Sequence, residues 1–83
     1  MKSEQMREAV MKVLGRIAPE ADLASIDPAG SLRDQLDIDS VDFLNFMIGL
    51  HSELGVQIPE ADVAKLSSLD GCIAYLLSKS AAS

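Results

Sequence analysis

The sequence predicts an all-α fold: a four-helix bundle of three main helices and one short helix, with a long loop between helices 1 and 2. Apolar residues recur at helical spacing in separate segments of the chain. Only 4% of the 83 residues are aromatic and tryptophan is absent, so the core must be aliphatic and methionine-rich, which suits packed helices better than strands. A hydrophobic content of 48% at this length allows one domain, residues 1–83, with a core of about 3–79 and a frayed tail over 80–83.

The first helix is predicted from a single apolar stripe. Its members are Met6, Val10, Val13, Leu14 and Ile17. Ser3 is available as the N-cap, and Pro19 prevents the helix from continuing. Residues 19–38 then form a long connection whose apolar residues follow no helical period and are expected to pin it to the core. These are Leu23, Ile26, Leu32 and Leu36.

The second helix is predicted from about Ser40 to Glu53, with Asp39 as N-cap, Asp42 in the first turn and Gly55 as the stop. Its apolar residues are too many for one stripe. One line follows core spacing and contains Phe43, Phe46, Met47, Leu50 and Leu54; the second contains Val41, Leu44 and Ile48. The second line is either partly exposed, as in a partner-binding helix, or buried beneath the long loop.

The last third of the chain predicts a short helical turn followed by a longer helix. The turn spans Glu60 to Ala64, and Ser67 with Asp70 resembles a capping box. The final helix is predicted from about Ser68 to Lys79, with Cys72 on or beside its buried face. The buried residues expected there are Leu69, Ile73, Leu76 and Leu77.

The net charge of −6 is concentrated in the middle of the chain. Residues 20–62 contain ten acidic groups and one basic residue, Arg33. Such a field repels nucleic acid and attracts basic protein surfaces, although a merely solvated acidic face has the same composition. We expect no membrane span, because no apolar run is long enough. The charged N-terminus is unlike a secretory signal and the single Cys72 cannot form an internal disulfide, so we expect a cytoplasmic protein. We also expect a monomer.

Ser40 lies at the start of the second helix, among aspartates and without a basic residue near enough in sequence to activate it. The only histidine, His51, is eleven residues further along the same helix, roughly 16 Å away at 1.5 Å per residue. A hydrolase is therefore improbable, because a serine nucleophile needs a base within hydrogen-bond reach.

The sequence around Ser40 does not predict a metal site either. The stretch "DIDSVD" lacks calcium-loop spacing, and one cysteine with one histidine makes no zinc site. Ser40 is then either an ordinary first-turn residue or a serine that another enzyme modifies.

The stretch "LDIDSVD" resembles the acyl carrier proteins, whose modified serine lies in an Asp-Ser-Leu motif. The resemblance continues through "VDFLNFMIGLHSELGVQIPEADVAKLSSL", where the Gly-x-x-Ile-Pro connector and the Ser-Ser-Leu restart have the family's spacing. It covers roughly residues 6–78. It implies a four-helix bundle that is not an enzyme and that carries acyl groups as thioesters on a 4′-phosphopantetheine arm.

The same resemblance assigns roles to individual residues. It implies that Ser40 receives phosphopantetheine from coenzyme A through a separate phosphopantetheinyl transferase with magnesium, and that Asp39 helps to position transferase and metal. Val41, Asp42, Leu44 and Ile48 would contact partners, which are acyl-transferring and acyl-modifying enzymes with basic docking surfaces. Phe43, Phe46, Met47 and Leu50 would line the interior that shelters an acyl chain.

Departures from the family pattern refine these expectations. Asp37 replaces the usual glycine, which matters if the position needs a positive φ. Asn45, His51 and Ser52 stand where fatty-acid-synthesis members are usually acidic. We therefore expect a carrier for a specialised acyl pathway, such as polyketide synthesis, rather than the general fatty-acid carrier. A non-carrying acidic docking module of the same fold is the alternative.

Overall fold

The computed structural model describes residues 2–81 and contains α-helices and 3₁₀ helices without strands in that range. The α-helices are α1 (Ser3–Ile17), α2 (Leu32–Leu36), α3 (Ser40–Leu54) and α4 (Leu69–Ala81). The 3₁₀ segments are Leu23–Ser25 and Glu60–Leu66. The predicted all-α fold is confirmed, with three long helices and short helical segments between them. Of the predicted frayed tail, residues 80 and 81 continue α4, and residues 82 and 83 lie outside the described range.

The core forms where α1 packs against both α3 and α4. The core-facing side chains of all three helices are almost completely buried and include Met6, Val10, Leu14, Phe46, Leu50, Leu69 and Leu76. Gly49 lets α1 and α3 approach closely, because a Cβ atom there would lie 2.6 Å from Cγ1 of Val13. The close approach fixes α3 against α1, so one side of α3 is committed to the core.

The long connection is more ordered than the sequence predicts. Ile26 and Leu32 are buried and Leu23 and Leu36 pack against the core, which confirms the expected pinning. Helix α2 was not predicted, since five residues are too few to show a helical period. Two backbone bonds also hold the connection against the start of α4: Leu32 N–H donates to the Ser67 carbonyl at 2.9 Å, and Asp70 N–H to the Pro28 carbonyl at 3.0 Å.

Two predicted helix caps are wrong by one residue. Helix α1 already includes Ser3, and its N-cap is Lys2, whose backbone N–H donates to Oε1 of Gln5 at 3.0 Å. At α4, Oγ of Ser68 accepts from the backbone N–H of Gly71 at 3.0 Å, so the cap is Ser68 and not the predicted capping box of Ser67 with Asp70. The Asp70 amide is instead used by the bond to the long connection.

A side-chain cluster fastens the 3₁₀ helix Glu60–Leu66 to α4. Oη of Tyr75 donates to Oδ2 of Asp62 at 2.7 Å, Nζ of Lys65 lies 3.3 Å from Oδ1, and Nζ of Lys79 lies 5.4 Å from the centre of the Tyr75 ring. The hydrogen bond from Tyr75 is the main cause that lowers the pKa of Asp62. Burial, followed by the bond to Asp62, raises the pKa of Tyr75 to about 12. The ionised Asp62 therefore stabilises the position of this 3₁₀ helix.

Replacing Tyr75 with phenylalanine should change the acid sensitivity of the fold. A carboxylate whose folded-state pKa is lowered contributes stability above its unfolded pKa, which is lost as the pH falls through the folded value. Wild type should therefore lose stability as the pH falls below the ordinary range of an aspartate and through the lowered pKa of Asp62, and Tyr75→Phe should lose less over the same fall. Urea unfolding at several pH values measures both slopes. Equal slopes would show that the bond does not contribute.

The two sides of α3 should respond differently to the same truncation. Leu50 is fully buried, whereas Leu44 on the same helix is 58% exposed. Leu50→Ala should lower the free energy of unfolding by about 2–5 kcal/mol, because it leaves a cavity in the core. Leu44→Ala should cost well under 1 kcal/mol, as is usual for an exposed side chain. Chemical denaturation measures both, and a large loss for Leu44→Ala would mean that this residue belongs to the core in solution.

Candidate functional site

The site begins at the turn between α2 and α3. Ser31 caps α2 by accepting from the Asp34 N–H at 3.3 Å, and Asp37 ends α2 in the left-handed region with φ 53° and ψ 43°. The backbone N–H groups of Asp37 and Ile38 both donate to the Arg33 carbonyl. This is the usual hydrogen-bond pattern of a left-handed helix end, and aspartate tolerates the region better than most residues. The position of the family glycine therefore has a positive φ in this protein, with aspartate in place of glycine.

Asp39 and Asp42 close the N-terminus of α3 with a reciprocal pair of bonds. Oδ1 of Asp39 accepts from the Asp42 N–H at 2.8 Å, and the Asp39 N–H lies 3.5 Å from Oδ2 of Asp42. The predicted N-cap is therefore correct. Both carboxylates are engaged with the backbone, and their negative charge suits the positive end of the helix dipole. Ser40, the first residue of α3, is left exposed beside them.

The hydroxyl of Ser40 has a basic neighbour that the sequence analysis missed. Nη2 of Arg33 donates to Oγ of Ser40 at 3.0 Å, across the turn from α2. A guanidinium stays protonated in proteins, so Arg33 cannot serve as the base for a serine nucleophile. The signal available in the sequence was that Arg33 is the only cation among ten acidic groups in residues 20–62. Arg33 is seven residues from Ser40, so the contact depends on the conformation of the α2–α3 turn and cannot be read from the sequence spacing.

A groove of about 650 Å³ leads away from Ser40 between α3 and the segment that contains the 3₁₀ helix Glu60–Leu66. Arg33 and Ser40 lie at one end, and His51 lies at the other. Its apolar lining includes Phe43, Met47, Leu44, Ile48, Ile58 and Val63. Phe46 and Leu50, which were expected to line an interior cavity, are fully buried in the core and do not reach the groove. Ile58 and Val63 were not predicted, because no periodicity connects them with α3.

His51 is held at the far end of the groove. Its Nδ1 lies 3.0 Å from the Val56 carbonyl oxygen, which can only accept, so Nδ1 carries the proton. The ring is therefore fixed to the end of α3, about eleven residues along the helix from Ser40. His51 and Ser40 do not come together, which agrees with the prediction that His51 cannot activate the serine.

The second apolar line of α3 faces outward. Val41, Leu44 and Ile48 are 65%, 58% and 56% exposed and are the large apolar side chains most exposed among the described residues. The alternative that the long loop buries this line is thus wrong. Leu44 and Ile48 also form the rim of the groove, so one continuous apolar surface joins the groove to the outside of α3.

Basic residues of α1 neutralise one of the two carboxylates within α3. Nζ of Lys12 lies 2.9 Å from Oε1 of Glu53, and Nη1 of Arg16 lies 3.8 Å from Oε2. The hydrogen bond from Lys12 is the main cause that lowers the pKa of Glu53. Asp42, the other carboxylate of α3, is engaged in the N-terminal cap. The outer surface of α3 is therefore less acidic than the composition of the middle segment indicates.

The remaining reactive groups do not form a second centre. Cys72 is fully buried, its Sγ donates to the Leu66 carbonyl at 3.2 Å, and burial raises the pKa of its thiol to about 12. Across residues 2–81, no three His, Cys, Asp or Glu side chains are placed to hold a metal ion. In the same range, no helix has the length and apolar character needed to cross a bilayer.

A family model and the curated relatives of this chain indicate the same protein family. Residues 4–76 match the model of the phosphopantetheine attachment site family. The polyketide-8 synthase acyl carrier protein 2 of Streptomyces avermitilis is 34% identical, over 92% of this chain and 82% of its own length. An acyl carrier protein of Chlorobium phaeobacteroides is 30% identical over 95% of this chain and its whole length, and one of Myxococcus xanthus is 27% identical over 84% and 92%. The chain therefore belongs to the acyl carrier proteins, which bear a covalently attached 4′-phosphopantetheine and are carriers rather than catalysts.

Proposed function

We propose that this protein carries acyl intermediates on a 4′-phosphopantetheine arm attached to Oγ of Ser40. The observation that carries the proposal is an exposed hydroxyl at the N-terminus of α3, at the mouth of a largely apolar groove, whose hydrogen-bond partner among the described residues is Arg33 and not a base. A phosphate ester fits there, because backbone N–H groups and the helix dipole favour an anion at this end of α3. When bound, the group supplies a terminal thiol that holds the acyl cargo as a thioester.

The transfer onto Ser40 depends on a separate phosphopantetheinyl transferase. Oγ attacks the phosphorus that bears the pantetheine of coenzyme A, the pyrophosphate P–O bond breaks, and adenosine 3′,5′-bisphosphate leaves. The proton of the hydroxyl passes to a base of the transferase, since the described part of this chain places only the protonated Arg33 in hydrogen-bond contact with it. Asp39 holds the first turn of α3 in place and positions transferase and magnesium at the hydroxyl.

The exposed face of α3 and its groove-lining face have different proposed roles. Val41, Leu44 and Ile48 form the partner-binding surface with Asp42 at its edge, because they are exposed next to the attachment point. Phe43 and Met47 line the groove that shelters the acyl chain, and Phe46 and Leu50 hold that wall in place from the core. The rings of Phe43 and Phe46 meet edge to face with centroids 6.0 Å apart, which stiffens the wall.

The charge of α3 supports a specialised acyl pathway rather than general fatty-acid synthesis. Asn45, His51 and Ser52 are uncharged or weakly basic, and Glu53 is paired with α1. A partner steered mainly by carboxylates of this helix would find few of them free. A polyketide synthase carrier among the relatives agrees with this assignment. We further propose a cytoplasmic monomer, in a reducing compartment that suits the single cysteine.

Loading by a promiscuous transferase with coenzyme A and magnesium tests the attachment point. Intact mass should show that wild type gains one phosphopantetheine, whereas Ser40→Ala gains none. Ser52→Ala is the matched control, because Ser52 is an exposed serine of the same helix, and it should be loaded as wild type is. A wild type that stays unmodified would favour the non-carrying docking module. Loading of Ser40→Ala would place the arm on another residue.

Truncating the exposed apolar line should weaken partner binding. Leu44→Ala is expected to raise the KM of the transferase for this protein by roughly tenfold, the factor for losing about 1.4 kcal/mol of binding. The kcat should change much less, since Leu44 does not touch the reacting hydroxyl. Steady-state kinetics on folded protein measure both constants, with Ser52→Ala as the neutral control. An unchanged KM would show that Leu44 does not contribute to binding of the transferase.

A further inference from the structure

Arg33 is held in an unusual position for a surface arginine. Its backbone carbonyl accepts two hydrogen bonds from the α2–α3 turn, so its Cα is fixed relative to the start of α3. Its guanidinium donates to Oγ of Ser40 at 3.0 Å. Within residues 2–81 it forms no ion pair, although five aspartates lie within nine residues of it. The positive charge is thus directed at a neutral hydroxyl and not at a carboxylate.

The carboxylates around Ser40 explain why a cation is needed if the hydroxyl becomes an ester of phosphate. Asp39 and Asp42 flank Ser40 at the N-terminus of α3, Asp37 lies in the turn, and Glu60 lines the groove on the opposite side. Each of these charges repels an anion on Oγ. His51 is at the far end of the groove, so Arg33 is the only cationic side chain among the described residues that line the Ser40 end. Arginine is also the side chain best suited to a phosphate, which it contacts with parallel N–H donors.

We propose that Arg33 is the phosphate-binding residue of the loaded protein: its guanidinium holds the phosphodiester on Ser40 and thereby fixes the first part of the arm at the mouth of the groove. The inference rests on the proposed attachment at Ser40. Arg33 is a positioning residue in this role, since it takes no proton from the hydroxyl. Arg33 already donates to Oγ of Ser40, so its guanidinium is next to the position that the phosphate would occupy.

A titration that does not depend on any transferase tests the interaction. Phosphoserine is encoded at position 40 of the full chain, and its second pKa is measured by ³¹P NMR in chains with Arg33, Arg33→Gln or Arg33→Lys. The neighbouring carboxylates raise this pKa and a bound guanidinium lowers it, so the value with Arg33 should lie about one unit below that with Arg33→Gln. Arg33→Lys should be intermediate, because it keeps the charge but not the paired donors.

Arg16→Gln is the matched control, since Arg16 is a basic residue on α1 that pairs with Glu53, and it should leave the phosphoserine pKa unchanged. Circular dichroism confirms that each variant is folded. Equal values for Arg33 and Arg33→Gln would overturn the proposal, because a purely structural role for Arg33 does not alter the titration of a folded chain.

The loaded protein provides a second measurement on the arm itself. After transfer from coenzyme A, the ³¹P resonance of the phosphodiester should shift on Arg33→Gln and return towards the wild-type position on Arg33→Lys. A loaded protein whose resonance ignores Arg33 would overturn the proposal. If wild type cannot be loaded, the proposed attachment at Ser40 is wrong. The phosphoserine titration would still show whether Arg33 binds a phosphate at this position.

Discussion

The left-handed backbone at Asp37 is the constraint on which the rest of the site depends. It ends α2 after five residues and lets the chain reverse directly into α3, with Ile38 buried as the anchor. Because the Arg33 carbonyl accepts from both Asp37 and Ile38, the turn cannot unwind from the end of α2 without breaking those bonds. The turn therefore determines where Ser40 begins α3, what lies beside its hydroxyl, and in which direction the groove opens.

The division of α3 into two faces follows from the fit of α1 against it. Gly49 and Val13 bring the two helices together, and the side chains that share that face are removed from water. The outer line of α3 is also apolar, although it does not contribute to the buried core. The exposure of Val41, Leu44 and Ile48 is what the proposed partner-binding surface requires, since partner proteins would cover these side chains on binding.

Much of this architecture can be predicted from the sequence, and the failures have physical causes. The long helices, the Asp39 cap, the Gly55 stop and the presence of a second apolar line follow from periodicity and local backbone chemistry, whereas the exposure of that line is decided by the packing. Helix α2 and the Ser68 cap could not be predicted, because the first is too short for a period and the second depends on which of two adjacent serines faces Gly71. The contacts of Arg33 and Glu53 are tertiary, so sequence spacing carries no trace of them. Phe46 and Leu50 share the period of groove residues, yet the depth of packing removes them from the groove.

The 3₁₀ character of residues 60–66 has a consequence for the groove. One wall is a regular α-helix wedged into the core, and the opposite wall has the poorer hydrogen-bond geometry of a 3₁₀ helix and relies on the bond between Asp62 and Tyr75. The two walls thus differ in stiffness: one is rigid and the other compliant. If the groove shelters the acyl chain as proposed, a longer or bulkier chain would be accommodated by an outward movement of the Glu60–Leu66 segment, and the strength of the attachment of this segment to α4 would set the range of chain lengths that fit.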